Sequence, residues 1–192
     1  MRLLAGCWPD LFLLGLTQNQ ATLHLSSILA AMAAQVKAVA TVDRVEVSRV
    51  RQVTQAVCKI KEYTTALARL GMDDMEFALM RVIAIFGSGK HHPLLHHHVQ
   101  ACLFSDQLSI NAQCFERISV QAVSDLSSYC KQRKPEDDSR FSKLLLRLSP
   151  LRSIQAEILE ELFFSGLIGN VQIESVIPYA LNMDTMKQQE AK

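Results

Sequence analysis

Almost every substantial apolar run in this chain repeats at the 3.6-residue period of a helix, and almost none alternates at period two. That periodicity predicts an all-α fold. With 192 residues, 49% of them apolar, the chain has the material for one domain with a single core. A first helix is expected from about Pro9, which tolerates an initial turn because its missing amide costs least there, to about Ala34. Its apolar residues Leu11, Phe12, Leu14, Leu16, Leu23, Leu25, Ile28 and Leu29 fall on most sides, so it should lie buried at the centre rather than on a surface.

The stretch Val36 to Val47 is weakly patterned and fits either a helical turn or a short β excursion. Val50, Val53, Val57, Ile60, Tyr63, Thr64 and Leu67 then mark one face of a helix reaching about Leu70. Asp73 with Glu76 three residues on makes a capping-box start for a helix through Phe77, Met80, Ile83 and Ile85, ending at Phe86-Gly87. Another helix is predicted from about Ile110 to Lys131, with Cys114, Ile118, Val120, Val123 and Leu126 inward. The longest is expected from a cap at Asp138 or Ser139 to Phe164, kinked at Pro150, which deletes one backbone donor.

From Glu161 the chain reads Glu-Leu-Phe-Phe-Ser-Gly-Leu-Ile-Gly-Asn-Val-Gln-Ile-Glu-Ser-Val-Ile-Pro-Tyr-Ala-Leu: a helix that stops, turns and gives a short apolar segment. Gly166 and Gly169 tolerate the left-handed backbone of a helix stop. Val176, Ile177, Ala180 and Leu181 give the following segment one apolar face, but it is too short to hold itself helical and must dock. It therefore reads as a movable lid on a helical body.

Charge and composition exclude several functions. Twenty Lys and Arg against nineteen Asp and Glu, scattered along the chain, leave no basic face for nucleic acid. Cys7, Cys58, Cys102, Cys114 and Cys130 form no CxxC pair, so they suggest free, buried or half-buried thiols in a reducing compartment rather than a zinc ribbon or a disulfide framework. Pro9-Asp10 interrupts the N-terminal apolar run, which rules out a signal peptide, and the run Leu11 to Leu16 falls far short of the ~20 residues a bilayer requires.

The loop from Gly87 to His98 carries Gly-Ser-Gly-Lys and five histidines. A phosphate cradle needs a Gly four residues before the Gly-Lys pair and a hydroxyl residue after the Lys, whereas Ile85 and His91 flank these positions. Metal binding lacks a carboxylate or thiol at ligand spacing, which leaves a solvated loop. No nucleophile elbow, Ser-His-Asp set or enclosed carboxylate pair is present, so no residue is a candidate for catalysis and no cofactor or metal is expected.

Four segments carry a resemblance: Trp8 to Gln18 (WPDLFLLGLTQ), Glu76 to Phe86 (EFALMRVIAIF), Arg140 to Leu148 (RFSKLLLRL), and the terminal run from Glu161. In order and spacing they resemble the nuclear receptor ligand-binding domain, most closely the testicular orphan receptors and their invertebrate relatives, with the retinoid X receptors a step further away. The resemblance covers nearly all of residues 1–192. It implies the C-terminal part of a three-layer helical sandwich, from the family's fourth helix through its activation helix. The first three helices and the zinc-binding DNA module have no counterpart, so the chain is expected to be a fragment, an isoform or a truncated form.

The resemblance further implies a module of a nuclear transcription factor, with homodimers or a retinoid X-type partner, coactivator or corepressor helices, and a small lipophilic ligand as its interactions. A pocket would be lined by Trp8, Leu13, Leu16, Asn19, Ile158, Glu161 and Leu162. Asn19 stands where retinoid X receptors place an Arg for a ligand carboxylate, so an acidic ligand loses its partner. Val176, Ile177, Tyr179, Ala180 and Leu181 correspond to the activation helix. Tyr179 stands where the family has a Glu that caps the incoming peptide helix, and a phenol lacks that charge. Corepression or constitutive behaviour is therefore expected above ligand-driven activation.

The long helix has a second apolar face that matches the family's dimer surface: Lys143, Leu145, Leu146, Ser149, Arg152 and Ala156. Arg147 lies inward between Leu144 and Leu151, where a bare guanidinium is costly, and family architecture makes Glu76 its expected partner. Against this whole reading stands a generic helical adaptor that depends on neither ligand nor DNA.

Overall fold

The computed structural model describes residues 2–42, 47–87, 106–169 and 171–190. Among them every regular element is helical: α1 (Arg2–Gln18), α2 (Leu25–Val42), α3 (Val47–Ala68), α4 (Asp74–Gly87), α5 (Asp106–Arg133), α6 (Arg140–Leu145), α7 (Leu148–Leu151), α8 (Ala156–Leu159), a π-helical turn (Glu160–Phe164), α9 (Ser165–Ile168) and α10 (Ile173–Glu190). This is an all-α domain, as the periodicity predicted.

α1 is the central helix. It touches α3, α4, α7 and α10, no residue from Leu3 to Gln18 is exposed, and Leu13 and Leu14 are fully buried. The helix begins well before Pro9, which lies inside it. It also stops earlier than the pattern suggests. Thr17 Oγ1 donates to the Leu13 carbonyl at 2.7 Å and Asn19 Nδ2 to the Gly15 carbonyl at 2.9 Å. These side chains take up carbonyls at the helix end, and the chain turns through His24 at φ 48° before α2 starts. The expected helix from Pro9 to Ala34 is thus two helices, and α2 carries on to Val42 through the weakly patterned stretch.

α2 packs on α3 and α4 packs on α5. α3 buries Val53, Val57, Ile60, Tyr63, Thr64 and Leu67, the face read from the sequence. The α4 capping box forms as expected: the Glu76 amide donates to Asp73 Oδ1 at 2.9 Å and the Asp73 amide to Glu76 Oε2 at 3.1 Å. Burial pushes the Asp73 carboxyl up, but bonds from the Glu76 amide, the Tyr129 hydroxyl and the Met75 amide outweigh it, leaving Asp73 below its ordinary range. In α5 the buried stripe is Ala122, Leu126 and Cys130, four residues apart, while Cys114 and Val120 are exposed. The cysteines divide accordingly: Cys7 and Cys130 are buried free thiols, and Cys58 and Cys114 are exposed ones. Cys102 and residues 88–98 of the histidine-rich loop lie outside the described residues.

The long rod expected from Ser139 to Phe164 is broken into short pieces, and α5, at 28 residues, is the longest helix. Pro150 sits in α7 and removes an amide. Ser153 then bonds the Pro150 carbonyl through both its hydroxyl (2.8 Å) and its amide (3.1 Å), and the chain extends at Gln155 (φ −72°, ψ 136°) before α8. Past the π turn, Gly169 adopts φ 61° at the reversal into α10, a conformation an L side chain resists, whereas Gly166 is ordinary α-helix. α10 folds back against α1, and Ile173 and Ile177 pack on the core. At 18 residues it is much longer than the short segment anticipated, with Pro178 inside it.

Candidate functional site

The π turn determines how the C-terminal helix is held. Successive side chains on an α-helix diverge by about 100°, yet Phe163 and Phe164 both meet Phe12 of α1, with ring centroids at 5.1 and 4.9 Å. The extra residue of a π turn re-aims side chains in this way, and such turns concentrate at functional sites. Trp8 stands edge-on to Phe164 at 5.9 Å and 6.3 Å from Phe12, closing a four-ring cluster between α1 and the π turn.

The adjacent carboxylates Glu160 and Glu161 serve different elements. Glu160 Oε1 accepts the amide of Ile173 at 2.9 Å, placing a carboxylate at the first turn of α10 where the helix dipole favours it. Replacing Glu160 with Ala should cost α10 about 0.5–2 kcal/mol of docking. Amide exchange over Ile173–Ile177 then speeds up several-fold, and unchanged protection there would mean that the carboxylate does not hold the helix.

Glu161 instead pairs with Arg49 of α3, both side chains about half-exposed (46% and 40%). The pair stands at an open groove of about 280 Å³ whose apolar wall is Met32, Val36, Val50, Val53 and Leu162.

The residues expected to line a pocket separate into three places. Trp8, Leu13 and Ile158 are buried in the core, with Leu16 packed against it. Glu161 and Leu162 face the open groove. Asn19 is exposed and bonds its own helix. The expected dimer face also divides: Lys143, Leu146, Ser149 and Arg152 are exposed, with Leu146 at 73%, while Leu145 and Ala156 pack partly onto the core. On α10, Val176 and Ile177 are half-buried, whereas Tyr179, Ala180 and Leu181 are exposed, Tyr179 at 72%. The inward stripe is therefore Ile173, Val176 and Ile177, set one turn earlier than read from the sequence.

The expected Glu76–Arg147 pair is not formed, because Glu76 is held by Arg140. Arg140 Nε donates to Glu76 Oε1 at 2.6 Å and Nη2 to Oε2 at 2.5 Å, a bidentate pair with both residues buried (Arg140 4%, Glu76 1% exposed). Arg140 Nη1 also donates to the Leu70 carbonyl at 2.6 Å. Arg147 Nε and Tyr63 Oη are buried without a hydrogen-bond partner among the described residues. Burial drives the Tyr63 phenol well above its ordinary value, with Asp10 adding to the effect and Arg147 opposing it. Arg140 could have been found from the sequence, since it lies four residues before buried Leu144 and so extends the inward stripe by one turn.

Among the described residues no group of His, Cys, Asp and Glu could hold a metal ion, and no helix is long and apolar enough to cross a membrane.

Comparison with known proteins accounts for this arrangement. The family described as the ligand-binding domain of nuclear hormone receptor matches residues 1–168. Orphan steroid hormone receptor 2 of Strongylocentrotus purpuratus is 38% identical over 186 residues, covering 97% of this chain and 29% of that protein. Nuclear receptor subfamily 2 group C member 1-A of Xenopus laevis is 37% identical, covering 95% of the chain and 26% of its own length. Group C member 2 of Homo sapiens is 35% identical, covering 95% and 28%. The chain thus spans less than a third of these relatives, and α10 lies beyond the family match. By the family match over residues 1–168, together with these identities, the chain belongs to the nuclear receptor ligand-binding domain family, whose members regulate transcription and are not enzymes.

Proposed function

We propose that this chain is the ligand-binding, dimerisation and coregulator-binding module of an orphan nuclear receptor that acts in the nucleus, with repressive or weakly ligand-dependent output. One observation carries the weak dependence on ligand: α10 is fastened by the protein itself. Glu160 holds its first amide, and Ile173 and Ile177 pack on a core that already contains Trp8 and the phenylalanine rings. A helix docked by its own chain needs no ligand to seat it, since a ligand shifts an equilibrium only by its differential affinity for the two states. At the exposed end of α10 the phenol of Tyr179 offers a peptide helix no full negative charge.

The test is fluorescence anisotropy of labelled coactivator and corepressor helices titrated with this chain and with the full-length receptor. The corepressor helix is expected to bind at least tenfold more tightly, with or without added lipophile. Coactivator binding that arises only on adding a lipophile would overturn the reading.

For assembly, we propose a homodimer or a retinoid X-type heterodimer through the exposed part of the α6–α7 face, centred on Leu146. Leu146→Arg places a charge at a site that is 73% exposed, so the fold survives. Sedimentation should move from dimer to monomer. An unchanged profile would exclude this surface.

A further inference from the structure

The groove beside the π turn has an apolar wall and only two charged residues, Arg49 and Glu161, which are bonded to each other. An entering head group meets a donor and an acceptor side by side. A carboxylate would have to displace Glu161 from Arg49 and then sit against the carboxylate it had displaced. A hydroxyl can accept from the guanidinium and donate to the carboxylate while both charges stay neutralised. At about 280 Å³ the groove is just below the usual range of drug-sized pockets, so it suits a chain of about ten carbons. We propose that this groove binds a neutral amphipathic small molecule with a hydroxyl head, and that the Arg49–Glu161 pair admits such heads and turns carboxylates away. This inference rests on the reading of the chain as a ligand-binding module and adds the chemical class of the ligand.

The pair makes a sharp test possible because both side chains are about half-exposed, so neutral substitutions leave the fold intact. The chain, labelled with carbon-13 at its methionine methyls, is titrated with 1-decanol and with decanoate. Met32, in the groove wall, is the reporter, and the chain's other methionines are the control. Decanol should shift Met32 selectively at about one-tenth of the decanoate concentration. In Glu161→Gln the freed guanidinium should raise decanoate affinity until the two probes are equal or reversed in order, and in Glu161→Gln with Arg49→Gln that gain should vanish. Equal affinities in the unmodified chain, a ratio unaltered by Glu161→Gln, shifts at all methionines alike, or silence at Met32 would each overturn the proposal. Coregulator helices that bind as expected beside a silent Met32 would remove the groove alone. The reverse result would remove the coregulator reading and keep the groove.

Discussion

Arg140→Met should destabilise the domain by about 3–5 kcal/mol at neutral pH, because it leaves the Glu76 carboxylate buried without its cation. Glu76 is 1% exposed, and of its neighbours Arg140 alone carries a charge bonded to it: the Asp73 amide is neutral, and Cys130 Sγ at 3.9 Å is a weak donor. The same guanidinium ties α6 to the α3–α4 connection through the Leu70 and Gly71 carbonyls, so the variant also loses bonds between segments far apart in sequence. The sign with pH separates two explanations. In Arg140→Met a lone carboxylate can relieve itself by taking up a proton, so the deficit should shrink as pH falls. In Glu76→Gln the stranded group is a guanidinium that stays charged at all accessible pH values, so the deficit should persist. Urea denaturation of both variants between about pH 4.5 and 7.5 measures this. A loss of less than 1 kcal/mol, or the same pH response in both, would mean that the pair is not what joins α4 to α6.

The elements legible in the sequence are those whose signal is local. The capping box at Asp73 and Glu76 formed with the anticipated reciprocal bonds because both partners lie within one helical turn. The inward face of α3 could be read from spacing alone, as could the placement of the Trp8 helix at the centre, since each depends on a pattern inside one element. Helix boundaries failed where side chains competed with the backbone. Thr17 and Asn19 end α1 by bonding carbonyls, while Leu23 and Leu25 continue the apolar rhythm across the break and hide it. Ser153 does the same after Pro150.

The candidate site was legible in its membership and not in its geometry. Glu161 and Leu162 were read as wall residues and do line a groove, but Trp8, Leu13 and Ile158 fill the core instead. One cause is the π turn, whose extra residue rotates everything after Leu159 relative to α-helical spacing. Nothing in the composition of Glu-Glu-Leu-Phe-Phe marks it. The other cause is distance: Arg49 lies 112 residues before Glu161 in the chain, and the amide of Ile173 lies 13 residues after Glu160, so neither bond leaves a periodic trace. The choice of Arg147 over Arg140 was an error of the same origin, because both occupy the inward stripe and only the packing of α5 on α6 decides which one reaches Glu76.

Trp8→Ala should cost about 3–5 kcal/mol, the range for deleting a large aromatic side chain from a core. Trp8 is 7% exposed, and it touches Phe12 on its own helix and Phe164 on the π turn, so truncation removes both packing area and two ring contacts. Trp8→Phe keeps a ring in place and should lose less than half as much. The consequence for function is more specific than the loss of stability. If α10 is seated without ligand because the interior is already filled, then emptying the Trp8 site should make its seating depend on an added molecule. An apolar hole of this kind stays dry and accepts an aromatic guest. Millimolar indole should therefore raise the stability of Trp8→Ala and restore amide protection in α10, while leaving the unmodified chain unaffected. Calorimetry with hydrogen exchange decides the matter. If indole fails to rescue the variant, or protects α10 equally in both proteins, then Trp8 is not the residue that frees the terminal helix from a ligand.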